Sequence, residues 1–204
     1  MTTPKTTHGA PLRYRTIDLV VVVMLGVAFG VAFFGYSKIY LLLDPVTSAF
    51  KPLEGLLTGF WCMPALVALL IVRKPGAAIG AEVIAATLEA LLGSHFGPAV
   101  LVAGVLQGLG FELAFLLARF AKVTWPVIVS GALLSVTFEW IFEIIAYYPQ
   151  WSLEFKLAYL GFFWLSGLLL LAFLGTLLVK ALAATGALNS FAPGREHFAK
   201  LHAK

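Results

Sequence analysis

The chain has 204 residues, of which 61% are hydrophobic and 12% charged, with a formal net charge of +4 and one cysteine. Soluble domains run near half apolar and a quarter charged, so composition excludes a soluble enzyme or nucleic-acid-binding domain. A single cysteine excludes an intramolecular disulfide and a multi-cysteine zinc site.

In chain order, a polar stretch over 1–16 reads as an N-terminal tail. Six apolar segments follow: Ile17–Leu43, Leu53–Val72, Pro75–Leu92, Pro98–Phe120, Trp125–Tyr148 and Lys156–Leu182. Residues 183–204 read as a C-terminal tail. The first segment is too long for a signal-peptide core of roughly 7–15 residues. Backbone polar groups in lipid must be bonded internally, and no segment alternates like a barrel strand. The expected fold is therefore an all-α integral membrane protein with six transmembrane helices and no aqueous domain. The first segment reaches roughly 40 Å, beyond a hydrocarbon core of about 30 Å. Its far end, Gly35-Tyr36-Ser37-Lys38, is expected to bend or leave the bilayer. Asp44-Pro45 and Lys51-Pro52 then predict an ordered outer loop over Tyr36–Lys51.

Basic residues set the orientation of such a chain. Lys5, Arg13 and Arg15 precede the first segment. Arg73 and Lys74 join the second and third, and Arg119 and Lys122 the fourth and fifth. Lys180, Arg195, Lys200 and Lys204 close the chain; Lys38, Lys51 and Lys156 fall on the other side. The bias predicts both termini in the cytoplasm. Trp61, Trp125, Tyr147, Tyr148 and Trp151, near segment ends, read mostly as interfacial anchors.

The informative residues are five glutamates within the apolar segments, Glu82, Glu89, Glu112, Glu139 and Glu143, with Gln107. Facing lipid, five carboxylates would cost roughly 12–17 kcal/mol on insertion scales, so they face the bundle interior or a cavity. No lysine or arginine lies deep enough to neutralise them, which points to a cationic or donor-rich ligand. Alternating orientation puts Glu89, Glu139 and Glu143 in the outer half with Gln107 near mid-depth, while Glu82 and Glu112 lie in the inner half. Glu139 and Glu143 are four apart and share a helix face. Tyr36, Trp61, Trp140 and Trp164 are at compatible depths for an aromatic-walled site. Structural hydrogen bonding is the competing reading for each carboxylate, and the stronger one for Glu82 and Glu112.

On the first segment, Gly26 and Gly30 form one small-residue row and Ala28 and Ala32 another. Such rows allow close helix approach, either within the bundle or against a partner membrane protein. No P-loop, H-E-x-x-H or G-x-S-x-G is present, so neither ATP hydrolysis nor another enzymatic activity is expected. The four histidines are scattered, and no metal or other cofactor is expected.

Three stretches carry a resemblance to a known family: Arg73-Lys74-Pro75-Gly76-Ala77-Ala78; Glu82 through Glu89-Ala90-Leu91-Leu92-Gly93-Ser94; and Gln107-Gly108-Leu109-Gly110-Phe111-Glu112. In order and spacing they resemble the S components of energy-coupling factor (ECF) transporters, and among these the YkoE family of thiamine or hydroxymethylpyrimidine S components. The resemblance implies a six-helix protein of the bacterial plasma membrane that captures a vitamin from outside. It also implies partners: a membrane scaffold subunit and two cytoplasmic ATPases. Docking on the scaffold would use an A-x-x-x-A row, matched by Ala28 and Ala32. A cobalt-handling relative would be expected to place a histidine at its extreme N-terminus, where this chain has Met1-Thr2-Thr3. A different reading of the same glutamates is an autonomous proton-coupled carrier or channel with Glu82, Glu112 and Glu139 as a relay.

Overall fold

The computed structural model describes residues 13–120 and 123–202. Among these the chain is entirely helical, without strands. Lys5, Lys122 and Lys204 of the predicted charge bias, and the Met1-Thr2-Thr3 start, lie outside the described residues.

Helix α1 spans Thr16–Thr47 and leads into 3-10 turns at Ser48–Leu56 and Thr58–Phe60. Then come α2 (Met63–Val72), α3 (Ala77–Leu91), α4 (Val100–Leu117) and α5 (Trp125–Ala146). Helix α6 (Leu153–Ser166) continues through a π-helical stretch, Gly167–Gly175, into α7 (Thr176–Ala184), and α8 (Ala192–His202) ends the described chain. Four helical stretches are long and apolar enough to cross a membrane: Thr16–Leu56, Gly97–Leu117, Trp125–Ala146 and Leu153–Ala184. The protein is thus a multi-pass membrane protein.

The second predicted segment differs from a simple span. Only Met63–Val72 is α-helical, and all ten of its residues are buried. A helix apolar on every side belongs in the centre of a bundle, and α2 occupies that place. Helix α3 is amphipathic in an unusual sense. Its buried stripe is Ala77, Ala78, Ala81, Glu82, Ala85, Ala86 and Glu89, so small side chains let neighbours approach while two carboxylates point inward. A Cβ added at Gly26 would sit 2.6 Å from Ile84 Cβ, and one at Gly30 2.7 Å from Leu88 Cβ. On the far side, a Cβ at Gly108 would meet Ile79 Cα at 2.6 Å.

The outer loop expected over Tyr36–Lys51 is a correction. Helix α1 runs unbroken through Gly35–Lys38 and ends at Thr47, with Pro45 inside its last turn. Proline removes one backbone donor. At the helix end hydroxyls meet the last carbonyls: Thr47 Oγ1 lies 3.3 Å from both Leu43 O and Asp44 O, and Ser48 Oγ donates to Pro45 O at 3.0 Å. The rest of the expected loop is the 3-10 segment, packed on α6 and the following stretch through Gly55 and Gly59. Gly59 N–H donates to Ser166 Oγ (2.8 Å), which itself donates to Leu56 O (2.7 Å).

At the opposite end, buried Asp18 joins three pieces of chain. It accepts from Arg15 N–H at 2.7 Å, closing the start of α1, and also from the Arg15 guanidinium and Lys74 Nζ. Lys74 Nζ donates as well to Arg13 O at 2.7 Å. Arg73, in a left-handed conformation (φ 54°) that ends α2, forms a bidentate pair with Glu196 at 2.6 and 2.9 Å. The segment expected as a plain tail is therefore partly a helix held against the bundle, with Leu188 and Phe191 buried beneath it.

Candidate functional site

A cavity lies between α1, α3, α4, α5 and α6 at the end of the bundle remote from Asp18. Together with the open solvent at its mouth it spans about 650 Å³ of non-atom space. Its wall carries Glu89, Gln107, Glu139 and Glu143 together with Trp61. Glu89 sits near the end of α3, where its Oε1 accepts from Ser94 Oγ (3.0 Å) and Trp61 Nε1 (3.4 Å). Gln107 is fixed from behind, since its backbone oxygen accepts from Ser135 Oγ at 2.7 Å.

Glu139 and Glu143 stand one helical turn apart on α5. Glu143 accepts from the Tyr159 hydroxyl. Glu139 is 5% exposed, and its Oε2 has no hydrogen-bond partner among the described residues. Two carboxylates at this spacing repel when both are ionised. A cation or a proton held between them removes the repulsion, and the unpartnered oxygen is free to accept.

Aromatic rings supply the remaining wall. Tyr40, Phe96, Tyr148 and Tyr159 face the cavity with Phe33 and Phe142. Tyr148 is stacked on Trp151 with centroids 3.9 Å apart. Both Tyr40 and Tyr148 donate to Glu54 Oε2, at 2.8 and 3.4 Å. Glu54 is 1% exposed and also accepts from Thr47 (3.1 Å) and Lys51 (2.6 Å) on its Oε1. These bonds tie α1, the 3-10 segment and the end of α5 together over the cavity.

Five of the ten sequence-predicted ligand residues therefore line the cavity, and five do not. Tyr36 donates to Leu57 O at 2.9 Å and packs its ring behind Trp61, with centroids 4.7 Å apart. Trp140 donates to Lys156 O at 2.9 Å, fastening α5 to α6. Trp164 is 45% exposed and donates to Thr137 Oγ1 at 3.0 Å on the bundle's outer surface. Depth alone placed these three; rotation about the helix axis turns them away.

Glu82 and Glu112, for which structural hydrogen bonding was the stronger expectation, lie outside the cavity lining. Glu82 Oε1 accepts from Ala65 N–H at 2.9 Å, in the first turn of α2. Glu112 Oε1 accepts from Ala78 N–H at 2.9 Å, in the first turn of α3. Neither helix has a side-chain cap of its own. The first N–H groups of a helix have no partner within it, and the dipole favours a negative group there. These glutamates cap neighbouring helices from within the bundle.

The small-residue rows also separate. Gly26 and Gly30 are buried against α3, so they serve internal packing and not a partner. Ala28 and Ala32 are exposed on the opposite side.

Sequence reasoning missed Glu54, which lies inside the second predicted segment but beside Lys51-Pro52, where it looks like a solvated end. It also missed Tyr40 and Tyr159, and took Tyr148 for an interfacial anchor. Among the described residues, no group of three or more His, Cys, Asp or Glu is placed to hold a metal ion.

Comparisons with known proteins bear on this geometry. Residues 17–138 match the family described as "ABC-type cobalt transport system, permease component". A protein of Bacillus subtilis (strain 168), named "Putative HMP/thiamine permease protein YkoE", is 32% identical over 186 residues, covering 90% of this chain and 92% of that protein. A solved structure described as "Crystal structure of an S-component of ECF transporter" superposes with a TM-score of 0.86 at 31% identity, covering 93% of this chain and 96% of the other.

Proposed function

We propose that this chain, which belongs to the family of ABC-type cobalt transport system permease components and is a YkoE-related S component of the ECF type, captures thiamine or its hydroxymethylpyrimidine moiety. The observation that carries the substrate class is the cavity: three carboxylates and a glutamine set among aromatic rings, with one carboxylate oxygen unpartnered. An aminopyrimidine offers N–H donors and a ring nitrogen that can be protonated against a carboxylate, a charge-assisted pairing. Thiamine adds a thiazolium, which a second carboxylate balances and an aromatic face attracts. Glu89, Glu139, Glu143, Gln107 and Trp61 are the proposed contacts. Tyr40, Tyr148 and Tyr159 are added to them from the cavity wall.

The reading includes a six-span topology in a bacterial plasma membrane, with both termini in the cytoplasm and the cavity toward the outside. Uptake is then driven by a scaffold subunit and two ATPase subunits. Exposed Ala28 and Ala32, amid Val23, Met24, Val27 and Val31, form the proposed docking face. Against the proton-relay alternative, Glu82 and Glu112 each hold one oxygen on a helix N–H group, while Glu82 Oε2, like Glu139 Oε2, is buried without a hydrogen-bond partner among the described residues.

The test is a titration of the purified chain, followed by tryptophan fluorescence, with thiamine, hydroxymethylpyrimidine and the thiazole moiety in turn. Tight binding of thiamine or the pyrimidine, with weak binding of the thiazole, is the expected outcome. Failure of all three to bind overturns the substrate assignment.

A further inference from the structure

At the end of the bundle remote from the carboxylate cavity, a second cleft opens between the last turns of α2, the start of α5, α7 and α8. With the open solvent at its mouth it spans about 1230 Å³ of non-atom space. Its floor is hydrocarbon: Leu70, Ile128 and Val179 line it and are buried in the bundle. Its polar lining carries three fixed cations, Arg73, Lys180 and Lys200, against one carboxylate, Glu196.

Glu196 offsets one of these three charges at most, and Lys200 shares it with Arg73. The Arg73 guanidinium grips both its oxygens and holds its carboxyl below the usual range. Lys180 and Lys200 form no ion pair among the described residues. Two further features suit a site at a membrane surface. Trp125 lines the cleft and is half exposed, as interfacial tryptophans are. The Thr176 hydroxyl, also in the lining, is buried without a hydrogen-bond partner among the described residues.

We infer that this cleft binds an anionic phospholipid, its acyl chains against the accessible apolar lining at Val123 and Trp125, over the floor of Leu70, Ile128 and Val179, and its phosphate held by Lys180 and Lys200. Basic pockets between membrane helices recognise anionic headgroups in this way. The apolar floor distinguishes a lipid from a soluble anion, and the excess of cations distinguishes an anionic headgroup from a zwitterionic one. The site stands apart from the vitamin cavity and does not rest on the substrate assignment.

Native mass spectrometry of the full chain, offered equal amounts of phosphatidylglycerol and phosphatidylcholine with matched acyl chains, tests it. Phosphatidylglycerol is expected to be preferred, and the K180Q/K200Q variant to lose about 30-fold of that preference, which is about 2 kcal/mol. A K38Q/K156Q variant removes the same charge at the other end and is expected to keep the preference. Equal retention of both lipids by the unmodified chain overturns the inference, as does a preference that K180Q/K200Q leaves intact or that K38Q/K156Q abolishes. Should K180Q/K200Q fail to fold, the unmodified chain still decides. Its preference is expected to weaken with added salt and to survive excess inorganic phosphate. A salt-independent preference, or displacement by phosphate, contradicts a lipid held by these lysines.

Discussion

Glu82 and Glu139 are both buried carboxylates on membrane helices, and their surroundings divide the bundle into two regions. Around Glu82 and Glu112 each carboxylate meets the N–H-rich start of a neighbouring helix at 2.9 Å. Around Glu89, Glu139 and Glu143 the neighbours are tyrosine, tryptophan and serine side chains bordering an open cavity. Backbone partners are part of the fold, and a first-turn N–H that loses its carboxylate has no partner within its own helix. Side-chain partners can rearrange around a guest. The lesson is that an intramembrane carboxylate is read by its donor: a helix N–H marks a structural group, whereas a cavity and a hydroxyl mark a binding group.

The largest expected effect falls in the cavity. Glu139→Gln removes one partner of a proposed buried charge pair, a loss of about 2–5 kcal/mol, so thiamine affinity is expected to fall at least about 30-fold with thermal stability little changed. Isothermal titration beside a melting curve checks both. Next comes the capping region. Glu82→Ala leaves the Ala65 N–H buried and unpaired, at about 1–3 kcal/mol, and Glu112→Ala does the same to Ala78. Chemical denaturation is expected to show the loss, while the folded fraction binds thiamine with unchanged affinity. Should Glu82→Ala weaken binding as strongly as Glu139→Gln at equal stability, the division between the regions fails.

Glu89→Gln is expected to cost about tenfold in affinity, or about 1.4 kcal/mol, because Glu89 already shares one oxygen with Ser94 and Trp61. The smallest effect sharpens the comparison with a carboxylate in water. Glu196 is held below its usual range by Arg73, so its pairing is complete above the ordinary glutamate range and is lost as pH falls through the lowered value. Protection factors in α8, which correct for the intrinsic slowing of exchange in acid, should fall over that acidic window, and Glu196→Gln should lower them at neutral pH as well.

Much of this was legible in the sequence, for reasons visible at particular residues. Placing Glu89, Glu139 and Glu143 at one depth needed only the alternation of spans, and the cavity brings them together. Assigning Glu82 and Glu112 needed to know which helix start lies beside each, a tertiary fact with no local signal. The two rows on α1 are two residues apart and hence about 200° around the helix. The sequence thus implies that one faces in and the other out, but not which. Glu54 was hidden by its lysine and proline neighbours. The helix through Tyr36–Thr47 was hidden by Pro45, which near a helix end costs little more than one backbone bond.

The most direct test of the account is a structure of the chain with thiamine bound. The account predicts the aminopyrimidine between Glu89, Glu139 and Glu143, beside Trp61, with Glu82 and Glu112 still bonded to Ala65 and Ala78. Thiamine bound instead against Glu82 or Glu112, with either helix cap broken, would contradict it.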